Sequence, residues 1–222
     1  MVESGPAIRQ TDELPRVIPI FPLPGVLLLP RGRLPLNIFE PRYLQMTEDA
    51  MSAHRMIGMV QPADPRARLD HPAVYPTGCI GRIISYAETP DDRYLITLSG
   101  ICRFTILREI EGRGVLYREV CASYDAFAAD LREPPGISLE REPFVTALRC
   151  YFAAHDLTAD WDVIARLDDL TLVTRLAMAC PFKPNEKQAL LECATDAERA
   201  GMMRALFEIA VHERDGGAAI RQ

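Results

Sequence analysis

The spacing of apolar residues changes once along this chain, and that change limits the possible folds more than any other feature. Over residues 16–125 the apolar residues form short runs separated by proline and glycine, which is typical of β-strands. From residue 140 onwards they recur at i, i+3, i+4 and i+7, which is typical of helices with one buried face. Strands gathered in one half and helices in the other predict an α+β chain rather than an alternating α/β one.

The first half consists of eight apolar runs. They read RVIPIF, VLLL, LPLNIF, MIGMVQ, GCIGRIISYAE, RYLITLSG, ICRFTILREI and VLYREVCASY. Apolar residues alternate with others most clearly over residues 94–98 and 102–106, so one side of these segments is expected to face a core. Eight short strands predict a closed or nearly closed β-barrel rather than an open sheet.

One helix is predicted inside the strand-rich half. Residues 41–52 (PRYLQMTEDAMS) place apolar side chains on one helical face, and Pro41 suits the first turn because its missing N–H is not needed there. The preceding Glu40 lies at the positive end of the helix dipole. Glu40 and Arg42 are therefore interpreted as a helix start with a local charge partner, and not as a binding site.

Proline and glycine also mark the boundary between the halves. The Pro-Pro-Gly sequence at 134–136 cannot continue a helix or a central strand, so residues 126–139 are predicted to connect two domains. A capping box of Thr195 and Glu198 is expected to open the last helix, and the glycine pair at 216–217 to end it. The predicted division is a flexible N-terminus at 1–15, a β-barrel at 16–125, a linker at 126–139, a helical bundle at 140–215 and a frayed tail at 216–222.

The composition is that of an average globular protein, with 48% hydrophobic and 25% charged residues. No apolar run in the sequence, such as the one at residues 26–29, approaches the ~20 residues that span a bilayer. The N-terminus is polar and lacks the apolar stretch of a signal peptide. A cytoplasmic protein with no membrane partner is therefore expected.

The charged residues and the cysteines do not favour nucleic-acid or metal binding. Residues 1–125 carry 14 basic and 15 acidic side chains, and residues 126–222 carry 11 and 16. Binding to a phosphate backbone draws on clustered Lys and Arg, so this balance argues against it. The six cysteines form no CxxC pair and have no histidine at metal-ligand spacing, so buried free thiols are expected.

The residue patterns of common enzymes are also missing. The sequence contains no Gly-Lys pair, so it has no phosphate loop for ATP. Ser99 lacks the preceding glycine of a nucleophile elbow, and the adjacent aspartates at 91–92 and 168–169 are interpreted as a turn and a helix start. We therefore predict no catalytic, cofactor-binding or metal-binding residue.

Three segments, in order, are similar to one known family. Residues 18–46 read IPIFPLPGVLLLPRGRLPLNIFEPRYLQM, residues 76–109 read PTGCIGRIISYAETPDDRYLITLSGICRFTILRE, and residues 181–192 read PFKPNEKQALLE. These segments resemble the N-terminal substrate-binding domain of the Lon protease: its opening strands and EPRY helix, its hairpin, and the segment before its last helix. The chain departs from the family at 91–93, where a turn glycine is expected, and at Lys183, which replaces a capping residue.

The resemblance implies a PUA-like β pseudo-barrel followed by an α-helical bundle. It also implies a non-catalytic protein-interaction module that binds unfolded or apolar polypeptide segments, with a protease or chaperone system as a further partner. The ATPase and the Ser-Lys peptidase of the full protease have no counterpart in this sequence. An RNA- or nucleotide-binding module is the alternative, because PUA-type barrels often bind RNA.

A peptide-binding surface is predicted along a strand edge that is interrupted by Pro24, Pro30 and Pro35. Prolines in an edge strand remove backbone donors, which discourages aggregation while leaving apolar side chains available to an extended guest. The predicted peptide-binding residues are Leu34, Leu36, Phe39 and Tyr43.

Overall fold

The chain forms two compact units. The computed structural model describes residues 8–64, 72–112 and 114–219, with side chains as far as residue 212. The first unit contains the described residues up to Pro134 together with Pro181–Leu191. The second contains Pro135–Cys180 and the described residues from Glu192 onwards.

Six strands form the sheet of the first unit. They are β1 (Val17–Pro22), β2 (Arg33–Ile38), β3 (Met56–Val60), β4 (Thr77–Glu88), β5 (Tyr94–Ile110) and β6 (Arg118–Ser123). Their order is β2-β5-β4-β3-β1-β6, and β5 also pairs with β6. That last pairing closes a ring of five strands, while β2 lies outside the ring on the edge of β5. The predicted α+β fold with a β-barrel is confirmed.

Six α-helices accompany the sheet in the described ranges. They are α1 (Pro41–Ser52), α2 (Arg141–Ala154), α3 (Trp161–Arg166), α4 (Asp169–Ala179), α5 (Pro184–Glu192) and α6 (Asp196–Ala219). None of them combines the length and the apolar character that a membrane crossing requires.

Glycines give the barrel interior room for one large ring. Phe104 is fully buried in an apolar cluster with Ile18, Ile20 and Ile80. A Cβ atom at Gly58 would lie 2.9 Å from the Phe104 ring, and one at Gly78 only 2.6 Å from it. Because these distances are far below van der Waals contact, the two glycines are what allow the ring to fill the barrel.

The prediction of eight strands is wrong in two places. The VLLL run forms no strand, although Leu27, Leu28 and Leu29 are almost completely buried. Instead it passes so close to β5 that a Cβ atom on Gly100 would lie 2.0 Å from the Leu29 carbonyl oxygen. The runs RYLITLSG and ICRFTILREI are parts of a single strand, β5, which continues through a register shift at residues 100–102.

Helix α1 begins and ends as predicted. Glu40 precedes it without capping it through its side chain, and its carboxylate instead pairs with Arg42 at 2.8 Å. Tyr43 packs against Phe21 of β1, with the ring centroids 4.1 Å apart. The interpretation of Glu40 and Arg42 as a helix start with a local ion pair fits this geometry.

The sequence-based division into domains differs from the two units at residues 126–139 and 181–191. Half of the predicted linker is a 3₁₀ helix, Asp125–Leu131, that packs on β5. Helix α5 is grouped with the barrel and not with the bundle, and its Gln188 side-chain amide donates to the Thr77 carbonyl oxygen at 3.2 Å. Helical spacing identifies a buried face but does not show which surface covers it.

Aromatic packing and aspartate caps organise the second unit. The ring of Phe207 on α6 lies 5.6 Å from Phe144 and 5.0 Å from Tyr151, both on α2. Asp168 caps α4 by accepting from the Thr171 N–H at 2.9 Å, as the aspartate pair predicted.

The predicted helix end at residues 216–217 is wrong, because α6 runs to Ala219. Glycine costs a helix only about 1 kcal/mol per residue and does not forbid it.

The cysteines differ strongly in accessibility, which leads to a labelling prediction. Cys79 and Cys102 are fully buried in the first unit, whereas Cys150 is exposed on α2. Burial raises the pKa of the Cys102 thiol to about 12 and that of Cys79 well above its usual value. Because only thiolates react with aromatic disulfide reagents, Cys150 should be labelled within seconds at neutral pH, and Cys79 and Cys102 only after unfolding.

Mass spectrometry of tryptic peptides after timed labelling checks this expectation. Rapid modification of Cys102 in the folded protein would show that the barrel interior opens far more often than its packing implies.

Candidate functional site

The outer edge of β2 is open. This strand pairs with β5 on one side, in continuous antiparallel register from Arg33 opposite Ser99 to Ile38 opposite Tyr94. On its other side no strand among the described residues pairs with it. An unpaired strand edge of six residues offers backbone hydrogen-bonding groups to another chain.

Proline identifies which backbone groups point outwards. Pro35 has no N–H, so it fits a regular ladder only where its nitrogen faces away from the neighbouring strand. In an antiparallel strand the N–H and C=O groups of successive residues point alternately towards the neighbouring strand and away from it. Those of Arg33 and Asn37 therefore point the same way as those of Pro35. The N–H groups of Arg33 and Asn37 and the C=O groups of all three residues therefore face the open edge.

One side of the sheet formed by β2, β5 and β4 faces solvent, and we call it the open face. Cross-strand partners point to the same side of a sheet, so the registers of these strands define the open face. Its members are Arg33, Pro35 and Asn37 of β2, Leu95, Thr97 and Ser99 of β5, and Arg82, Ser85 and Ala87 of β4.

Apolar side chains are exposed at one end of the open face. Leu95 is 46% exposed and lies in one row with Asn37 and Ala87. Phe39, which directly follows β2, is 59% exposed, and the Arg93 guanidinium lies 5.7 Å from the centre of its ring. Two large apolar side chains are thus available beside the open edge.

The opposite end of the open face is basic. Arg33 and Arg82 both pair in register with Ser99, one from each neighbouring strand. Adjacent strands lie about 4.8 Å apart, so the two arginines flank Ser99. The open face therefore runs from a basic end to an apolar end along β2.

The four residues predicted from the sequence do not form one surface. Leu34 and Leu36 pair with the buried residues Leu98 and Ile96, so they lie on the opposite side of the sheet and are half-buried. Tyr43 is only 6% exposed and packs inside the first unit, so it is not available to a guest. Of the four, Phe39 alone is exposed.

Sequence reasoning missed Leu95, although a signal for it was present. The alternation that places Tyr94, Ile96 and Leu98 on one side of β5 places Leu95 on the other side. An apolar residue on the polar side of a half-buried strand is a candidate contact residue.

Tyrosine hydroxyls form hydrogen bonds on the covered side of the same sheet, one of them to α1. The Tyr94 hydroxyl donates to Glu48 of α1 at 2.5 Å, and the Tyr86 hydroxyl donates to Glu88 at 2.7 Å. The hydrogen bond to Glu48 raises the pKa of Tyr94, so Tyr94 keeps its proton and its bond at neutral pH. These contacts hold β4 and β5 in place beneath the open face.

A groove lies entirely within the second unit, apart from the open face. It is a groove of about 520 Å³ between α2 and α6, lined by Pro143, Ala147, Cys150 and Val211 together with acidic side chains. None of the predicted site residues lies there. It is a separate place where an apolar side chain could bind, and the exposed thiol of Cys150 allows it to be blocked.

The described part of the chain contains no cluster of three His, Cys, Asp or Glu side chains that could hold a metal ion. The chemistry that the open face offers is hydrogen bonding along a strand edge, apolar contact and positive charge. This combination suits the binding of a polypeptide.

Comparison with known proteins gives one family. A sequence model of the ATP-dependent protease La (LON) substrate-binding domain matches residues 17–206. Lon protease 2 of Myxococcus xanthus is 26% identical over 220 residues, covering 96% of this chain and 25% of the relative. Lon protease of Anaeromyxobacter dehalogenans is 24% identical over 218 residues, with 95% and 25% coverage. The chain thus spans about a quarter of the length of these relatives.

Solved structures show the same fold. A Lon N-terminal domain protein from Xanthomonas campestris superposes with a TM-score of 0.58 at 22% identity, covering 85% of this chain and 97% of that one. The N-terminal domain of the Mycobacterium avium complex Lon protease superposes with a TM-score of 0.55 at 14% identity, with 88% and 98% coverage.

Proposed function

The chain belongs to the family of ATP-dependent protease La (LON) substrate-binding domains, and from this premise we propose that it captures unfolded, apolar polypeptide segments at β2. The observation that supports this proposal most is the open edge of β2 beside the exposed side chains of Phe39 and Leu95. A guest segment adds to the edge as a further strand.

Backbone pairing makes such capture tolerant of sequence. Every polypeptide except at proline has the N–H and C=O groups that pair with Arg33 and Asn37, so the edge accepts many segments. The same pairing requires an extended guest, which folded proteins seldom expose. Unfolded chains are therefore selected by their conformation before their side chains contribute.

Apolar contact supplies the second part of the affinity. A guest side chain opposite Asn37 lies close to Phe39 and two strand spacings, about 10 Å, from Leu95. A long apolar side chain that extends across Asn37 therefore covers exposed surface of both residues. The guest loses conformational freedom on capture, and this offsets much of the gain. Dissociation constants in the micromolar range are expected.

The proposal includes no catalytic step in this chain. The family match covers a substrate-binding domain, and no residue of the open face resembles a nucleophile paired with a base. Processing of a captured segment is assigned to a partner protease or chaperone system.

Removing the two exposed apolar side chains should weaken capture strongly. In the double variant Phe39→Ala/Leu95→Ala, each truncation removes about 1 kcal/mol of apolar contact, so affinity should fall about 30-fold. Fluorescence anisotropy with a labelled ten-residue peptide that alternates leucine and serine measures the change. The free energy of unfolding should remain unchanged, since both side chains are exposed.

Two controls separate this surface from others. Leu107→Ala removes an apolar side chain that is 63% exposed on β5 outside the open face, and it should leave affinity unchanged. Alkylation of Cys150 blocks the groove in the second unit and should also have no effect. Equal affinity in the double variant and the wild type would reject the proposed surface, and a steep fall of affinity with salt would favour a nucleic-acid type of binding instead.

A further inference from the structure

The open face is electrically asymmetric along β2. Arg33 and Arg82 lie at one end, and Leu95 with Phe39 at the other. Arg33 is exposed and forms no ion pair within the described part of the chain. A guest strand lying along β2 therefore meets positive charge at one position and apolar surface at another.

The spacing between these positions is fixed by the strand. Arg33 and Asn37 are four residues apart on the same side of β2, a distance of about 13 Å in an extended strand. Guest residues opposite them are likewise four apart and point to the same side. The open face thus contacts two guest side chains, one opposite Arg33 and one opposite Asn37, at a fixed spacing.

We propose that the preferred guest carries an acidic side chain opposite Arg33 and a large apolar side chain opposite Asn37. This inference rests on the proposed function and names its substrate class. The guest runs antiparallel to β2, because antiparallel pairing is the more stable arrangement per residue. Its sequence is then an apolar residue, three further residues, and an Asp or Glu.

Local charge must act here against the charge of the whole molecule. The formal net charge is −6, so long-range electrostatics repel an acidic guest. Opposite charges directly across a strand pair attract, and like charges in the same position repel. A preference for an acidic guest would therefore come from Arg33, which lies directly across from the guest, and not from the overall field.

Three peptides that differ at one position test the proposal on the intact chain. Each has leucine at the position opposite Asn37 and Glu, Gln or Lys four residues later, opposite Arg33. A fourth peptide carries the Leu and Glu in reversed order. Affinity should decrease from Glu to Gln to Lys, with about tenfold between the first and the last. The reversed peptide should bind like the Gln peptide.

A charge reversal identifies the residue that contacts the charged side chain of the guest. In Arg33→Glu the order should invert, so that the Lys peptide binds best. Arg108→Glu makes the same charge change at an exposed position of β5 outside the open face and should keep the original order. Unfolding temperatures of both variants should match the wild type, since both side chains are exposed.

The outcomes distinguish this inference from the function on which it rests. Equal binding of the Glu, Gln and Lys peptides would overturn the charge reading while leaving strand capture in place. A preference for Glu that persists in Arg33→Glu, or tighter binding of the reversed peptide, would also overturn it. Failure of all four peptides to bind would overturn the proposed function as well.

Discussion

Asp130→Ala should lower the free energy of unfolding of the first unit by about 3 to 5 kcal/mol. The Asp130 carboxylate accepts from Arg103 at Nε (2.9 Å), at Nη2 (2.8 Å) and at the backbone N–H (3.0 Å). Both side chains are only 8% exposed. Removing the carboxylate takes this ion pair and its hydrogen bonds away from a buried guanidinium, and the lost compensation of a desolvated charge accounts for the large effect.

The position of Arg103 extends the effect beyond one ion pair. Its guanidinium lies 4.7 Å from the centre of the Phe127 ring and donates to the Leu191 carbonyl oxygen at 3.2 Å. It therefore links β5 to the 3₁₀ helix Asp125–Leu131 and to α5. Urea denaturation followed by circular dichroism measures the loss.

A double replacement separates the charge from the packing. Arg103→Met/Asp130→Leu removes both charges while keeping similar volumes, and it should recover most of the stability lost in Asp130→Ala. If Asp130→Ala costs less than about 1 kcal/mol, the pair is solvated in solution and does not hold these segments together.

Gly100→Ala should also destabilise the first unit, by about 3 kcal/mol, the upper end of the usual cost of overpacking. A Cβ atom there would lie 2.0 Å from the Leu29 carbonyl oxygen and 2.8 Å from its carbonyl carbon. Backbone bonds hold this approach on both sides, from the Arg31 N–H to the Gly100 C=O at 2.8 Å and from the Gly100 N–H to the Gly32 C=O at 2.9 Å. The backbone must shift, because no flexible side chain can move aside.

Gly201→Ala is the matched control, and its change in the free energy of unfolding is expected to have the opposite sign. Gly201 lies in α6 and a Cβ atom there would meet nothing within 4 Å. Alanine is the better helix former by about 1 kcal/mol, so this variant should be slightly more stable than the wild type. Thermal unfolding of the two variants side by side gives the comparison, and equal stability of Gly100→Ala and wild type would contradict the close approach.

The sequence predicts those parts of the fold whose signals are local. Pro41 marks the start of α1, the aspartates at 168–169 mark the start of α4, and alternation marks β5. The VLLL run was misread, because a buried apolar segment looks like a strand whether or not it pairs with one. The docking of α5 on the barrel includes the Gln188–Thr77 contact, which joins residues 111 positions apart and leaves no periodic signal.

The prediction of an edge strand agrees with the structure, while the peptide-binding role of its side chains stays a prediction. Pro35 lies in β2, which is an edge strand in the described part of the sheet, whereas the other two prolines of the prediction lie outside this strand. The sequence does not show which side of β2 faces solvent, and the predicted residues Leu34 and Leu36 lie on its covered side. Tyr43 is predicted to bind as an aromatic side chain beside the proline-rich strand, but the helical turn places it against Phe21 instead.

Amide hydrogen exchange on β2, measured by NMR, tests strand capture most directly. In the free protein the N–H groups of Arg33 and Asn37 face the open edge and should exchange quickly, whereas those of Leu34, Leu36 and Ile38 pair with β5 and should exchange slowly. A saturating apolar peptide should slow exchange at Arg33 and Asn37 at least tenfold and leave the other three unchanged. Unchanged exchange at Arg33 and Asn37 with the peptide demonstrably bound would contradict capture by strand addition.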